Sequence, residues 1–117
     1  MKVWVVDDEA EICHILEYLL KRDGHECMTF ENPLQALKSL QTTPPEVIIC
    51  DFKMPQMNGL DFFLKIKDQW KGEFIMLTGE PSADPKELQS IGIKEVLFKP
   101  RDLTRILTVL KDLAQNK

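Results

Sequence analysis

Several features that mark other classes of protein are absent from this sequence. No apolar run approaches the roughly 18 residues that a membrane-spanning helix needs. Residues 1–6 lack the longer apolar core and the small-residue cleavage site of a signal peptide. A basic excess is also missing, since the formal net charge is −4, whereas domains that bind nucleic acids usually carry a basic stripe. We therefore expect a cytoplasmic protein that contacts neither membranes nor nucleic acids directly.

Cysteine and histidine are scarce, with three and two residues respectively in a chain of 117. Cys13, Cys27 and Cys50 are irregularly spaced and make no metal-binding pattern, so we interpret them as small buried hydrophobic residues in a reducing compartment. His14 falls off the apolar stripe of its predicted helix and His25 precedes a strand. Both are expected at the surface.

Five short apolar runs alternate with five helical patterns. The length suits one domain with one core. The predicted strands are 3–6, 25–30, 47–51, 74–77 and 95–98. Apolar residues at helical spacing predict the intervening helices, with these core-facing positions: Ile12, Ile15, Leu16, Leu19 and Leu20; Leu34, Leu37 and Leu40; Leu60, Phe63, Leu64, Ile66 and Trp70; Leu103, Ile106, Leu107, Leu110 and Leu113. The fourth helix, 85–91, is short and poorly amphipathic and follows a stretch with two prolines, 80–85. Asp102 is interpreted as the cap of the last helix.

This alternation predicts an α/β fold. Strands that read as continuous apolar runs are typical of a parallel sheet covered by helices on both faces. With five strands, the favoured solution is a doubly wound, flavodoxin-like (βα)5 sheet with strand order 2-1-3-4-5.

Polar residues follow the predicted strands at the points where the strands end: Asp7, Asp8, Asp51, Thr78 and Lys99. In open α/β sheets, ligands bind at the carboxyl ends of the strands. Three crowded carboxylates repel unless a cation lies among them, and oxygen ligands with access to water suit Mg²⁺. A carboxylate nucleophile, a Mg²⁺ site, a lysine and a hydroxyl donor together favour phosphoryl transfer onto an aspartate.

Three other chemistries fit less well. No serine, histidine or cysteine lies at a strand end to form a nucleophile–base pair. The alternative of a Mg²⁺-dependent phosphohydrolase with an aspartyl-phosphate intermediate requires a second acid two residues after the nucleophile, where this chain has Lys53. A flavodoxin-like domain that binds FMN would need a phosphate loop rich in Ser, Thr and Gly after the first strand, where this chain has acids.

The same residues carry a resemblance to a known family. In order and spacing, the sequence resembles the receiver domain of two-component response regulators, through Asp7-Asp8, Asp51-x-Lys53-Met54-Pro55, Asn58-Gly59, Thr78-Gly79 and Lys99-Pro100. The resemblance covers essentially the whole chain. It implies that Asp51 accepts a phosphoryl group from a histidine kinase or a histidine phosphotransfer protein. It also implies that phosphorylation switches a protein-interaction surface. The domain would catalyse only its own phosphorylation and dephosphorylation.

The resemblance also assigns roles by position. Asp7, Asp8, Asp51 and the backbone carbonyl of Lys53 would hold Mg²⁺. Thr78 would be the switch hydroxyl and Lys99 the lysine that pairs with the phosphoryl group. The Lys99–Pro100 bond resembles one that is often cis in the family.

Other positions differ from the family pattern or are variable in it. Val96 stands where receivers commonly carry Tyr or Phe, which leaves the coupling to the output face open. Lys53 and Glu80 lie where such domains tune the lifetime of the phosphoryl group, and we expect these opposite charges to pair across the mouth of the site. Glu9, in contrast, is interpreted only as a solvated residue at a helix N-terminus. Trp4 and Trp70 are interpreted as packing residues.

Residues 1–117 are interpreted as one receiver domain without an effector domain. The downstream partner is then either a separate protein or an effector domain that lies outside this chain. A stand-alone regulator, a phosphoryl relay and a fragment of a larger protein all remain open.

Overall fold

The computed structural model describes residues 1–80 and 83–115 and contains, within these ranges, five strands that alternate with five helices. The strands are β1 (Lys2–Val6), β2 (Glu26–Phe30), β3 (Val47–Asp51), β4 (Glu73–Thr78) and β5 (Glu95–Phe98). The helices are α1 (Ala10–Arg22), α2 (Pro33–Ser39), α3 (Gly59–Ile66), α4 (Pro85–Ser90) and α5 (Arg105–Gln115). The longest of these helices has 13 residues, and no described helix carries an apolar stretch long enough to cross a membrane.

All five strands are parallel and follow the order β2-β1-β3-β4-β5, which confirms the predicted doubly wound sheet. The order reverses between β1 and β3, because the chain leaves β1 towards one edge and returns to β3 on the other side. Val6 of β1 is in register with Cys50 of β3. The residues that follow these two, Asp7 and Asp51, therefore emerge side by side.

Two apolar layers cover the sheet, and β3 supplies both of them. Its alternate residues Ile48 and Cys50 pack into one layer, while Val47 and Ile49 pack into the other. Since successive side chains of a strand point to opposite faces, a strand buried on both sides must be apolar throughout. This requirement explains why β3 reads as a continuous apolar run that ends at Asp51.

The predicted apolar faces of the helices are partly wrong. Ile15, Leu34 and Leu64 are 45%, 43% and 44% exposed. Their helices instead bury residues that the apolar spacing did not single out, among them Cys13, Ala36 and Phe62. The buried side of each helix therefore includes positions of different size, from Ala36 to Phe62, that a pattern of every third and fourth apolar residue does not identify.

Two helix boundaries also differ from prediction. Helix α3 ends at Ile66, because Gln69 and Trp70 both donate backbone hydrogen bonds to the Ile66 carbonyl and tighten the last turn. Trp70 still packs in the core, and its Nε1 donates to the Pro45 carbonyl at 2.8 Å. Helix α5 begins at Arg105, so Asp102 does not cap it directly but closes the preceding turn.

The short fourth helix is confirmed. Helix α4 has six residues, Pro85 at its start, and Asp84 as an N-cap that accepts a hydrogen bond from the Lys86 amide. Pro81 and Ser82, part of the proline-containing stretch before it, lie outside the described residues, as do Asn116 and Lys117 at the end of the predicted domain.

Of the two histidines, His14 is exposed as expected, but the surface prediction for His25 is wrong. The His25 side chain is only 11% exposed, and its Nδ1 lies 3.3 Å from the amino group of Met1. Because His25 directly precedes β2, its imidazole lies against the residue that precedes β1.

Candidate functional site

Two buried carboxylates form the floor of the site. Asp7 directly follows β1 and Asp51 ends β3, and these side chains are 1% and 5% exposed. The Asp7 amide donates to the Phe30 carbonyl, which continues the sheet pattern past the end of β1. Asp8 is exposed beside them. The pairing of β1 with β3 thus places the predicted acids together as expected.

The three aspartates are arranged as a cation site would require. One carboxylate oxygen each from Asp7, Asp8 and Asp51 lies within 4.8 Å of the others. The donor set is entirely oxygen, and one of its members faces solvent. Mg²⁺ prefers one or two carboxylates together with water and phosphate oxygens, so the residues present fit this ion.

Lys99 reaches into the acidic cluster from the end of β5. Its Nζ lies 3.2 Å from Oδ2 of Asp7, 3.2 Å from Oδ1 of Asp51 and 2.9 Å from Oε1 of Glu9. Its backbone amide donates to the Thr78 carbonyl, and the Lys99–Pro100 peptide bond is cis, as the resemblance predicts. One ammonium group therefore contacts three carboxylates at once and offsets only part of their charge.

The electrostatics follow from burial. Burial raises the pKa of Asp51 to about 7, and the charge of Asp7 adds to this effect, while Lys99 opposes it. Burial also raises the pKa of Asp7, against the hydrogen bond from the Glu9 amide and the charge of Lys99. Two carboxylates that are this costly to ionise gain strongly from any cation placed among them.

Thr78 lies at the end of β4 and is fully buried. Its Oγ1 accepts a hydrogen bond from the Glu80 amide at 2.8 Å, so the hydroxyl is tied to the loop that leads towards α4. Thr78 is next to the cavity but does not line it. Its hydroxyl proton remains available for a second contact, because a hydroxyl both donates and accepts.

A cavity of about 270 Å³ opens above the acids and is lined by Asp8, Glu9, Asp51, Lys53, Gly79, Glu80 and Lys99. Lys53 and Glu80 share its rim, and in the described part of the chain no ion pair joins them. The expected pairing across the mouth is therefore absent from this structure. A cavity of similar size at the other end of the sheet is lined by residues that include Lys2, Trp4, Glu26 and Pro45, and the cluster of three carboxylates found among the described residues does not lie there.

Four further residues support the site, although the sequence had given none of them a role in it. Glu9 pairs with Lys99 rather than with solvent alone. The thiols of Cys13 and Cys50 donate to the carbonyls of Asp7 and Asp51, each at 3.3 Å. Burial raises the pKa of Cys13 to about 12, which keeps that thiol protonated as a donor. Gly59, whose amide donates to the Phe52 carbonyl, lies directly against the backbone of Asp51.

The position of the missing aromatic residue is occupied by a core residue. Val96 is buried in β5 among the apolar residues that cover one face of the sheet. Phe98, two residues on, is half-buried, and the guanidinium of Arg101 lies 5.3 Å from the centre of its ring. An aromatic side chain is therefore present near the end of β5, but not at the usual place.

Comparison with known proteins places this arrangement in a family. Residues 3–111 match the model of the response regulator receiver domain. The chain is 33% identical over 111 residues to the DNA-binding transcriptional regulator NtrC of Proteus hauseri, a match that covers 93% of this chain and 24% of that protein. It is 31% identical over 101 residues to the transcriptional regulatory protein PhoP of Bacillus subtilis, covering 85% of this chain and 42% of PhoP. The chain thus spans less than half the length of either relative.

Solved structures agree with this assignment. The response regulator TrrA of Thermotoga maritima, in complex with Mg²⁺ and BeF, superposes with a TM-score of 0.84 at 29% identity and covers 96% of this chain and 97% of that one. The receiver domain of the Francisella response regulator 1452 shares the fold, with a TM-score of 0.90 at 22% identity over 98% of this chain and 97% of that chain. With acids, lysine and hydroxyl brought to one edge of this sheet and the family model matched almost throughout, the chain belongs to the response regulator receiver domain family.

Proposed function

We propose that Asp51 is the phosphoacceptor of this receiver domain. The observation that carries the proposal is the position of its Oδ1, which lies at the cavity and 3.2 Å from Nζ of Lys99, within a cluster of oxygen ligands. The donor would be the phosphohistidine of a histidine kinase or of a histidine phosphotransfer protein. The domain would then act in two-component signalling, as its family does.

In the proposed step, a carboxylate oxygen of Asp51 attacks the phosphorus in line with the leaving imidazole. The new O–P bond forms as the N–P bond breaks, and the imidazole nitrogen keeps the electron pair. Lys99 supplies a fixed positive charge next to the transferred oxygens. Thr78, at the end of β4, would donate a hydrogen bond from its hydroxyl to a phosphoryl oxygen. The hydrogen bond that its Oγ1 accepts from the Glu80 amide would carry any shift of that hydroxyl into the loop before α4.

Asp7, Asp8 and Asp51, together with the backbone carbonyl of Lys53, would hold Mg²⁺. The all-oxygen donor set supports this choice, as does the Mg²⁺–BeF complex of TrrA, which is a property of that protein. When bound, the ion would neutralise charge on the phosphoryl oxygens. The chain's own contribution is to hold three carboxylates close enough for one ion to bridge.

We further propose that residues 1–117 form one regulatory unit and not a turnover enzyme. The domain would catalyse only its own phosphorylation and dephosphorylation. The added phosphoryl group carries up to about two negative charges and would shift an equilibrium of the surface built by α4, β5 and α5. That surface would act on a downstream protein or on an effector domain outside this sequence.

Incubation with acetyl phosphate and Mg²⁺ followed by intact mass spectrometry tests this function. The parent is expected to gain one phosphoryl group, and Asp51→Asn to gain none. Asp68→Asn, an exposed acid beyond α3, is the matched control and should behave like the parent. A parent that stays unmodified in Mg²⁺, or a mass gain that survives in Asp51→Asn, would overturn the assignment.

Lys53 and Glu80 are proposed to set how long the phosphoryl group lasts. Both side chains lie on the rim of the cavity, where the attacking water must enter. Glu80→Ala clears one side of that rim, so we expect the phosphorylated form to decay faster than the parent. The decay of phosphorylated protein by intact mass is the measurement, with the exposed Glu87→Ala of α4 as control. Equal decay in Glu80→Ala and the parent would remove this role.

The phosphohydrolase alternative is not favoured. It requires a second carboxylate two residues after the nucleophile, and that position carries the exposed Lys53. The family matched along the chain is that of receivers, which are signalling domains.

A further inference from the structure

Glu9 occupies the N-cap position of α1 but does not cap the helix. Its backbone is extended, with φ −88° and ψ 108°, and its side chain makes no capping hydrogen bond. The carboxylate turns instead towards the cavity and contacts Nζ of Lys99 at 2.9 Å, the shortest of the three contacts that this ammonium makes with carboxylates. The interpretation of Glu9 as only a solvated end of a helix is therefore wrong.

The ammonium group of Lys99 has three protons, and three carboxylates surround it. A phosphoryl group on Asp51 offers three acceptor oxygens to this ammonium, which would draw Lys99 away from its other two partners. Of these two, Asp7 is almost completely buried, and an unpaired buried carboxylate is costly. The Glu9 side chain is 58% exposed, so water can replace Lys99 at little cost. Glu9 is thus the partner that Lys99 can leave most easily.

We propose that Glu9 is a positioning residue that holds Lys99 in the unphosphorylated domain and competes with the phosphoryl group for it. This inference rests on the proposed function of Asp51. It assigns to Glu9 a restraint on the phosphorylated state, because Glu9 and the phosphoryl group draw on the same ammonium group.

The electrostatics of Lys99 support this view. Burial alone would lower the pKa of the lysine, but the hydrogen bond to Glu9 is the strongest effect in the opposite direction, followed by the charges of Asp7 and Asp51, and the pKa is raised. The contact with Glu9 therefore helps to keep Lys99 charged beside the site.

Beryllofluoride, which mimics the phosphoryl group, provides a test that does not depend on turnover. Its affinity is measured by NMR titration in saturating Mg²⁺ for the parent, Glu9→Gln and Glu11→Gln. Glu11 lies in the first turn of the same helix and is exposed, so both substitutions remove one negative charge from the same region. Only Glu9→Gln removes the negative charge from the contact with Lys99.

Glu9→Gln is expected to bind beryllofluoride about two- to five-fold more tightly than the parent, the range expected for the loss of a competing exposed ion pair. Its advantage should shrink as salt is added, because salt screens exposed pairs. Glu11→Gln should match the parent. The unfolding midpoint in urea should be nearly equal in all three proteins, which separates a change at Lys99 from a general change in stability.

The outcomes distinguish this inference from the proposed function. If the parent binds beryllofluoride through Asp51 and Glu9→Gln binds no more tightly than Glu11→Gln, the role of Glu9 is overturned while the phosphoacceptor stands. If the parent does not bind, or if binding persists in Asp51→Asn, the proposed function fails and the inference with it.

Discussion

Three consecutive acids after β1 have three different environments. Asp7 is buried and hydrogen-bonded, Asp8 faces solvent at the edge of the cluster, and Glu9 is exposed but bound to Lys99. Their residue types are nearly identical, so the backbone decides what each does. The direction of each side chain as the chain leaves the sheet separates a buried carboxylate, an exposed carboxylate at the edge of the cluster and a partner of the lysine.

The imidazole of His25 gives the fold a dependence on pH. Burial lowers its pKa below the ordinary 6.5, and the amino group of Met1 adds to this, against Asp23 and Glu46. Because the folded protein binds a proton at His25 less readily than the unfolded chain does, His25 favours the folded state most above the unfolded pKa of 6.5. This stabilisation is lost as the pH falls through 6.5 towards the lower pKa of the folded state. Between pH 7 and pH 5, the free energy of unfolding should therefore decrease more for the parent than for His25→Gln.

Urea unfolding at several pH values measures this difference. His14→Gln, which replaces the exposed histidine, should follow the parent. Parallel curves for the parent and His25→Gln would contradict the role of burial at this site.

Gly59 allows α3 to start against the strand that carries Asp51. An added Cβ would overlap the Asp51 carbonyl oxygen and lie 2.9 Å from Sδ of Met76. Gly59→Ala is expected to lower the free energy of unfolding by about 1–3 kcal/mol, as overpacking does. Gly79→Ala is the control, because a Cβ there meets nothing within 4 Å. Equal stability of the two variants in urea would contradict this prediction, because it would mean that the neighbours of Gly59 move aside at no cost in free energy.

At the scale of elements, four of the five strands place a polar residue at the site, either as the last residue of the strand or as the residue that follows it. The turn after β5 is closed by Asp102, whose Oδ2 accepts from the Phe98 amide at 2.9 Å while its own amide donates to the Phe98 carbonyl. This pair of bonds surrounds Lys99 and Pro100. Asp102 therefore fixes the turn that directs the lysine, and α5 begins only three residues later.

Asp102→Ala tests whether the turn after β5 depends on the Asp102 side chain. The substitution removes the partner of the Phe98 amide, and a buried donor left unpaired costs about 1–3 kcal/mol. Asp102→Asn retains an oxygen acceptor and should lose less, whereas Asp112→Ala, at an exposed position of α5, should be nearly neutral. Chemical denaturation of the three variants provides the measurement. A loss in Asp102→Ala no larger than that in Asp112→Ala would contradict the proposed closure.

At the scale of the whole molecule, the sheet order is what makes one site out of distant residues. Asp7, Asp51, Thr78 and Lys99 end or follow four neighbouring strands, β1, β3, β4 and β5. Apolar layers on both faces hold these strands in register. The chemistry is therefore a property of the edge of the sheet, and no single segment contains it.

The same fact explains what was predictable. Runs such as 47–51 indicate doubly buried strands, and 2-1-3-4-5 is the favoured order for five of them. The meeting of the acids with Lys99 was predictable from that order. The contact of Glu9 with Lys99 and the burial of His25 depend on side-chain direction, which local patterns do not encode. The exposure of Ile15, Leu34 and Leu64 could not be predicted either, because apolar periodicity identifies the core-facing side of a helix but not how much of that side the sheet covers.

The most direct test of the central claim is to locate the phosphoryl group. After phosphorylation with acetyl phosphate and Mg²⁺, borohydride reduces an aspartyl phosphate to homoserine, and tryptic peptides are then sequenced by mass spectrometry. Asp51 is the one aspartate of peptide 39–53, whereas Asp7 and Asp8 lie in peptide 3–21. We predict homoserine at position 51 alone. Homoserine in peptide 3–21, or in no peptide, would contradict the assignment of Asp51 as the phosphoacceptor.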